Sequence, residues 1–297
     1  MKNLVLKDRV FFARFLGLAQ HSLSSYSFAN IYIWKSLFQI NWQVIQDNLC
    51  VFFKDRSGCF LYLPPLGRKT APAAISAAFA VMDRSNHNKV VSRIENVEEG
   101  DSVFYRGLGY LCREKFADYL YLRQDLVGLE GNKFKPQRYL YNYFIRHYKF
   151  TYRDFSLPDK DACLELYAGW RKNRRARHGD PIYQGMLDDS RRSLQVLLDN
   201  YAQLGVIGRV VEINGRLGGF TFGFTLNKNT FCILYEITDL AVKGLAQFIF
   251  CRLCQEMQDY KYINAMDDSG LTNLKQVKLS YRPFRLIPNY IVSRKYA

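Results

Sequence analysis

One order of local signals occurs twice along this chain, and it narrows the fold more than any other feature. In the first half, residues 49–54 and 59–63 read as strands joined by the turn Asp55-Arg56-Ser57-Gly58. They lead through Pro64-Pro65-Leu66-Gly67 into a helical run over residues 71–83. In the second half, residues 206–213 and 216–226 read as strands joined by Asn214-Gly215, a dipeptide suited to the positive-φ positions of a tight hairpin. A third strand, residues 230–237, leads through Val242-Lys243-Gly244-Leu245-Ala246 into a helix to about residue 258. Its apolar Leu245, Phe248, Ile249 and Leu253 recur at helical spacing. A short strand over 262–265, a closing helix and a last strand over 286–293 complete the order. Hairpin, strand, small-residue loop, helix, strand predicts an α/β (α+β) chain of two tandem lobes, residues 1–135 and 136–297. Each lobe is then a mixed, mostly antiparallel sheet flanked by helices, with a connecting basic-aromatic helix near 136–150.

The bulk numbers fit that plan. The 297 residues are 48% apolar and 15% aromatic, enough to fill two ordinary cores and too apolar for a disordered chain. The formal net charge of +15 favours polyanionic partners, whether RNA, an anionic membrane surface or a phosphorylated small molecule. Seven cysteines, an odd number at irregular spacing, fit reduced thiols in a cytoplasmic protein. Charges at Lys2, Lys7, Asp8 and Arg9 break any secretory pattern. The longest low-charge stretch, residues 70–82, falls short of the ~20 residues a membrane span needs, so at most a peripheral contact at the inner membrane surface is expected. Cys251 and Cys254 form a C-x-x-C inside an apolar helical pattern without a second ligand pair, which reads as core and not as a metal site. The four histidines form no triad-like grouping, which argues against Ser-His or Cys-His nucleophilic catalysis.

Two basic stretches stand out. Residues 133–153 interleave Lys133, Arg138, Arg146 and Arg153 with aromatic rings; a helix from Pro136 would turn the rings inward and the cations out. That pattern serves equally as a phosphate-gripping strip or as an amphipathic helix spanning two lobes. The run Arg171-Lys172-Asn173-Arg174-Arg175-Ala176-Arg177-His178 is denser than a solvated helix face requires and is the stronger candidate for polyanion contact, with Arg138 and Arg146 beside it.

The tail reads Asn264-Ala265-Met266-Asp267-Asp268-Ser269-Gly270, then a helical run carrying Lys275 and Lys278, then Tyr281-Arg282-Pro283. Acids at the start and cations at the end suit a helix dipole, and the lysines, one turn apart, could act on a single anionic group. On the residues alone, capping explains the acids and a solvated face explains the lysines, and that reading is the preferred one before any resemblance is considered.

The strand order resembles that of GCN5-related N-acetyltransferases, whose strand-to-helix loop offers backbone N–H groups to a pyrophosphate. Here that loop has one glycine, Gly244, and its first-half counterpart has two prolines that lack donors. Motifs in order resemble a more particular family. Ser24-Ser25-Tyr26-Ser27-Phe28-Ala29-Asn30-Ile31-Tyr32-Ile33-Trp34, Asp118-Tyr119-Leu120-Tyr121, Leu126 to Phe134 with its Gly131-Asn132-Lys133-Phe134, Asp239-Leu240 with Gly244 and Phe248-Ile249-Phe250, and the tail through Pro283 resemble the DUF2156 proteins. These are related to the C-terminal catalytic domain of phosphatidylglycerol lysyltransferases. The chain departs from the pattern at Gln137-Arg138-Tyr139 and at Met266.

The resemblance implies tandem acetyltransferase-like lobes, the second catalytic, with aminoacyl-tRNA as donor substrate, no bound cofactor, and a lipid headgroup, amine or peptide as acceptor. It implies a site in which Lys278 stabilises an oxyanion, Lys275 adds charge, and Glu236 or Asp239 takes the nucleophile's proton. Asp268, Gly244, Tyr281 and Arg282 would then bind substrate. The alternatives are an acetyl-CoA-dependent N-acetyltransferase and a non-catalytic RNA- or membrane-surface-binding module.

Overall fold

The computed structural model describes residues 1–177 and 179–295, and the chain divides into two compact units. The first comprises Met1–Asp118 and the C-terminal segment from Ile287; the second is Tyr119–Leu286. The division therefore falls at Asp118/Tyr119, earlier than the sequence-based boundary at 135/136. The reason is that the strand opening at Asp118 hydrogen-bonds into the second sheet.

In the first unit the elements are β1 (Lys2–Asn3), α1 (Arg9–Leu16), α2 (Phe28–Tyr32), β2 (Gln39–Ile45), β3 (Asn48–Lys54), β4 (Cys59–Leu61), α3 (Pro72–Ser85), β5 (Arg93–Glu98), α4 (Glu99–Gly107) and β6 (Leu111–Glu114). In the second they are β7 (Asp118–Leu122), α5 (Arg123–Gly128), α6 (Lys135–His147), β8 (Phe150–Asp154), α7 (Lys160–Arg177), α8 (Pro181–Asp199), α9 (Tyr201–Leu204), β9 (Ile207–Ile213), β10 (Arg216–Asn227), β11 (Thr230–Thr238), α10 (Leu245–Glu256), β12 (Tyr262–Asn264), α11 (Thr272–Ser280) and β13 (Arg285–Ile287). A final strand, β14 (Asn289–Ser293), returns to the first unit.

Each sheet has seven strands, in the orders β1-β2-β3-β4-β5-β14-β6 and β13-β7-β12-β11-β10-β9-β8. The described pairs are antiparallel except β4/β5 and β11/β12, so both sheets are mixed and mostly antiparallel, as the sequence predicts. The hairpins form where expected: Asn214 and Gly215 both take positive φ, at 52° and 76°, between β9 and β10.

The last strand does not form as one piece. Residues 286–293 break at Pro288, which has no N–H to give a ladder, and the two halves pair in different sheets. Residues 160–204, which the sequence reading left without helices, form α7, α8 and α9.

Side-chain alternation along β11 sorts the second unit's packing. Tyr235 faces α8, its hydroxyl 2.5 Å from Ser193 Oγ and donating to the Ser190 carbonyl. The opposite face meets α10, whose Phe250, Cys251, Leu253 and Cys254 are buried with Tyr119, Tyr121, Phe134, Phe231, Ile263 and Tyr281 in one apolar cluster. A neighbouring cluster joins Leu245, Phe248 and Ile249 of α10 to Phe144 of α6 and Val211 of β9.

Candidate active site

The site begins where two strands part. β11 and β12 run parallel and pair only through Thr230, Phe231 and Cys232 against Tyr262, Ile263 and Asn264. Beyond that point the chain after β12 stays with β7: Ala265 N donates to the Tyr119 carbonyl and Tyr119 N to the Met266 carbonyl. β11 runs on to Thr238 with no described partner on that side. A cleft therefore opens between them. A bulge in the β10/β11 pairing, which leaves Leu234 extra, lies just before the residues that face it.

Glu236 lies on β11 beyond the parting. Its side chain is half-buried, and Oε2 is fully enclosed without a hydrogen-bond partner. Removal from water pushes its carboxyl up to about 8, against an opposing pull from Lys278. Cys251, Cys254 and Tyr281 feel its charge, and burial drives the thiols and the phenol well above their usual range.

Lys278, on α11, sits across the cleft. Its Nζ donates to the carbonyls of Ala265, Met266 (3.2 Å) and Asp267 (2.6 Å). An ammonium has three donors, so the direct oxyanion bond expected of Lys278 meets competition from three backbone acceptors. In this arrangement the lysine closes the loop after β12 and projects its charge towards Glu236. Met266 holds φ at 60°, a conformation costly for a bulky residue, and the ammonium bound to the adjoining carbonyls helps impose it.

The acids of the tail do not cap α11, whose N-cap is Leu271 without a side-chain bond. They form successive Asx turns one step earlier: Asp267 Oδ1 accepts from Ser269 N at 2.8 Å and Asp268 Oδ1 from Gly270 N at 2.9 Å. The other oxygen of Asp268 accepts from Tyr119 OH at 2.6 Å, so this buried acid is paired to a phenol rather than to a lysine.

Other expected residues fall elsewhere. Asp239 is exposed and its Oδ1 accepts from Ala241 N, which makes it a turn former before α10 and not a partner of Glu236. Gly244 is buried at the N-cap of α10 with φ at 84°, and a Cβ there would lie 2.1 Å from the Leu140 carbonyl oxygen of α6. Close helix packing, not a phosphate cradle, accounts for this glycine. Lys275 and Arg282 are exposed, while Tyr281 is buried with its ring 4.8 Å from Phe250.

The basic run is partly spent internally. Asp188 on α8 takes Arg171 at 2.5 Å and Arg175 at 2.6 Å, and Arg174 stacks over Trp170. Lys172 is exposed, and the side chain of Arg177, like His178, lies outside the described residues. Arg138 donates to the carbonyls of Leu129 and Gly131 and so fixes the loop before α6; Arg146 is exposed. Among the described residues no three His, Cys, Asp or Glu side chains group as a metal site, and no helix is long and apolar enough to cross a membrane.

Four further residues, Tyr119, Gln137, Cys251 and Cys254, were not among the expected site residues. Tyr119 stands in the Asp118-Tyr119-Leu120-Tyr121 motif, but its bond to Asp268 is evident only once β7 pairs with β12. Gln137 reaches from α6 to the Ser280 carbonyl at 3.0 Å with Oε1 enclosed and unpartnered. Cys251 and Cys254 carried a usable signal: their i, i+3 spacing puts both thiols on the α10 face that meets Glu236.

Two mixed sheets flanked by helices, with the second sheet's strands parting at β11 and β12, define a tandem GNAT-like fold. A tandem GNAT protein from the clavulanic acid biosynthesis pathway shares the fold at a TM-score of 0.52 and 9% identity, over 100% of this chain and 98% of that one. The chain belongs to the family described as Phosphatidylglycerol lysyltransferase, C-terminal, whose pattern matches residues 17–293. L-PGS from Bacillus licheniformis is similar in structure, with a TM-score of 0.68 and 17% identity over 100% of this chain and 94% of that one. A conserved protein of unknown function from Bacteroides thetaiotaomicron VPI-5482 is more similar still, with a TM-score of 0.88 and 27% identity over 99% of both chains. No curated protein matches this chain.

Proposed function

We propose that this acyltransferase moves an aminoacyl group from aminoacyl-tRNA to the headgroup of an anionic phospholipid, and that the cleft between β11 and β12 is where transfer occurs. The observation that carries the reading is Glu236, a half-buried side chain whose enclosed Oε2 has no hydrogen-bond partner and whose carboxyl feels the charge of Lys278. A carboxyl poised near 8 suits the role of a base that later returns its proton. The acceptor hydroxyl attacks the ester carbonyl of the donor and gives its proton to Glu236. The new ester forms as the tetrahedral intermediate collapses, and the departing ribose oxygen takes the proton back. Lys278 favours the ionised base and the negative charge on the reacting oxygen through its field. Tyr281, Cys251 and Cys254 keep water from the carboxyl.

The acetyl-CoA reading has less support. The loop before α10 carries its single glycine against α6, and Lys243 lies over the rings of Tyr139 and Tyr143 on that helix. The non-catalytic reading leaves the cost of enclosing the unpartnered Oε2 of Glu236 without a purpose.

The direct test supplies purified protein with radiolabelled aminoacyl-tRNAs and phosphatidylglycerol vesicles and follows label into lipid. Transfer that falls ~10²–10⁴-fold in Glu236→Gln supports the reading. Wild-type protein that labels no lipid with any aminoacyl-tRNA, or a Glu236→Gln variant with unchanged turnover, overturns it.

A further inference from the structure

α4 lies on β5, β14 and β6 of the first sheet, and its buried Ser102 and Tyr105 mark the inner side. At about 100° per residue, Gly100, Val103, Phe104, Gly107 and Leu108 fall opposite them, with the i, i+3, i+4, i+7, i+8 spacing of one helix face. All five are exposed, Val103 at 68%, Phe104 at 39% and Leu108 at 40%. The charged Glu99, Asp101 and Arg106 stand at the margins of that face. The helix is thus apolar on the side turned away from the core.

Its two glycines have no reason within one copy of the chain. Glycine is a poor helix former, and neither residue takes a positive φ. A Cβ at Gly100 or at Gly107 would meet nothing within 4 Å. What their bare backbone permits is close approach from outside, near the short end of the about 8–10 Å that separates packed helices.

The face is complementary to itself. Gly100 and Gly107 lie equally far from a midpoint between Val103 and Phe104. A second α4, turned antiparallel about that midpoint, sets Gly100 against Gly107 of the second copy. It also brings Val103 and Phe104 each beside its own equivalent. On one margin Glu99 then stands level with Arg106 of the second copy, to within about 3 Å along the axis. A parallel pair would instead set like charges together. A nucleic acid or anionic surface would find a single cation here, Arg106, which already donates to Ser102 Oγ at 3.0 Å and lies over the Tyr290 ring.

We infer that α4 is a self-association surface, through which two copies of this chain pair antiparallel about a two-fold axis. One helix pair makes a small interface, so the pairing is reversible, with Kd about 10–100 µM. It does not depend on the transfer reaction.

The test is sedimentation equilibrium of the full chain from about 1 to about 300 µM, which brackets that Kd. Wild type is expected to pass from monomer to dimer across the range. In Gly100→Gln/Gly107→Gln the new side chains have room in the monomer and glutamine favours helix, so the variant should melt no earlier than wild type. It should nevertheless pair at least about tenfold more weakly, because those side chains hold the helices apart. Val103→Gln/Phe104→Gln should lose at least as much; if it melts early, the glycine variant decides alone. Arg106→Glu should weaken pairing, and Glu99→Arg/Arg106→Glu should recover most of the loss. A wild-type chain that stays monomeric throughout overturns the proposal. So does a dimer that the glycine variant leaves intact, one that forms only while nucleic acid is present, or one that the charge exchange does not restore.

Discussion

A carboxyl enclosed by sulfur and aromatic rings is favoured in its neutral form, and the consequence for Glu236 can be worked out with its sign. Its folded pKa is raised from 4.5 to about 8. The native state keeps a proton that the unfolded chain releases, so this group's contribution to stability is full below pH 4.5 and is lost as pH rises through about 8. Glu236→Gln has no such proton. In urea titrations at a series of pH values, the variant should gain on wild type by up to about 1.4 kcal/mol per pH unit between those limits, then level off. Turnover should run the other way, rising with pH to a plateau with a midpoint near 8 as the base ionises. Lys278→Met separates field from bond. It removes an ammonium from three carbonyls, which should cost about 2–4 kcal/mol in the same titrations, and the rising limb of its pH–rate profile should move to higher pH because the cation no longer favours the ionised carboxyl. A limb that stays in place would mean that Lys278 does not act on Glu236. The sequence offered both residues as candidates but not their pairing, since neither the parting of β11 from β12 nor the αL conformation of Met266 leaves a trace in residue type.

At the scale of elements, legibility followed local chemistry. The β9/β10 hairpin was readable because Asn214 and Gly215 are the residues that tolerate its positive φ values. α10 was readable because its apolar residues recur with the helical period. α11 was found but its start was misjudged. Asp267 and Asp268 look like caps, yet each closes its own Asx turn, and the helix begins after Leu271. Gly244 was misjudged for a related reason. A glycine before a helix suggests a phosphate loop, and only the approach of α6 reveals the other cause. The Leu140 carbonyl occupies the space that a Cβ would need, and φ is already 84°. Gly244→Ala should therefore push α6 from α10 and destabilise the chain by about 2–4 kcal/mol. Thermal unfolding would show the loss, together with rising solvent exposure of Phe144 and Phe248. A variant that melts like wild type would return the glycine to the list of ligand-binding candidates.

At the scale of the molecule, the repeat read from sequence proves to be a repeat of strand order with one exchange. In each sheet a strand distant in sequence completes the order: β7 lies between β12 and β13, and β14 lies between β5 and β6. The sequence showed the repeat because each lobe's hairpins are local. It did not show the exchange, because pairing between distant segments has no local signature beyond Pro288, which separates β13 from β14. The second unit, Tyr119–Leu286, is continuous in the chain, whereas the first depends on residues beyond Ile287. Truncation after Leu286 would remove β14 and with it two ladders, leaving β6 unpaired and one edge of β5 open. Exposed ladders of that kind lose protection by local unfolding long before a global transition. Amide hydrogen exchange on the truncated chain should therefore quicken in β5 and β6 while β9, β10 and β11 keep wild-type protection. Equal loss in both sheets would instead mean that the second unit cannot hold its fold without the first, and the cleft at Glu236 would have to be studied in the whole chain.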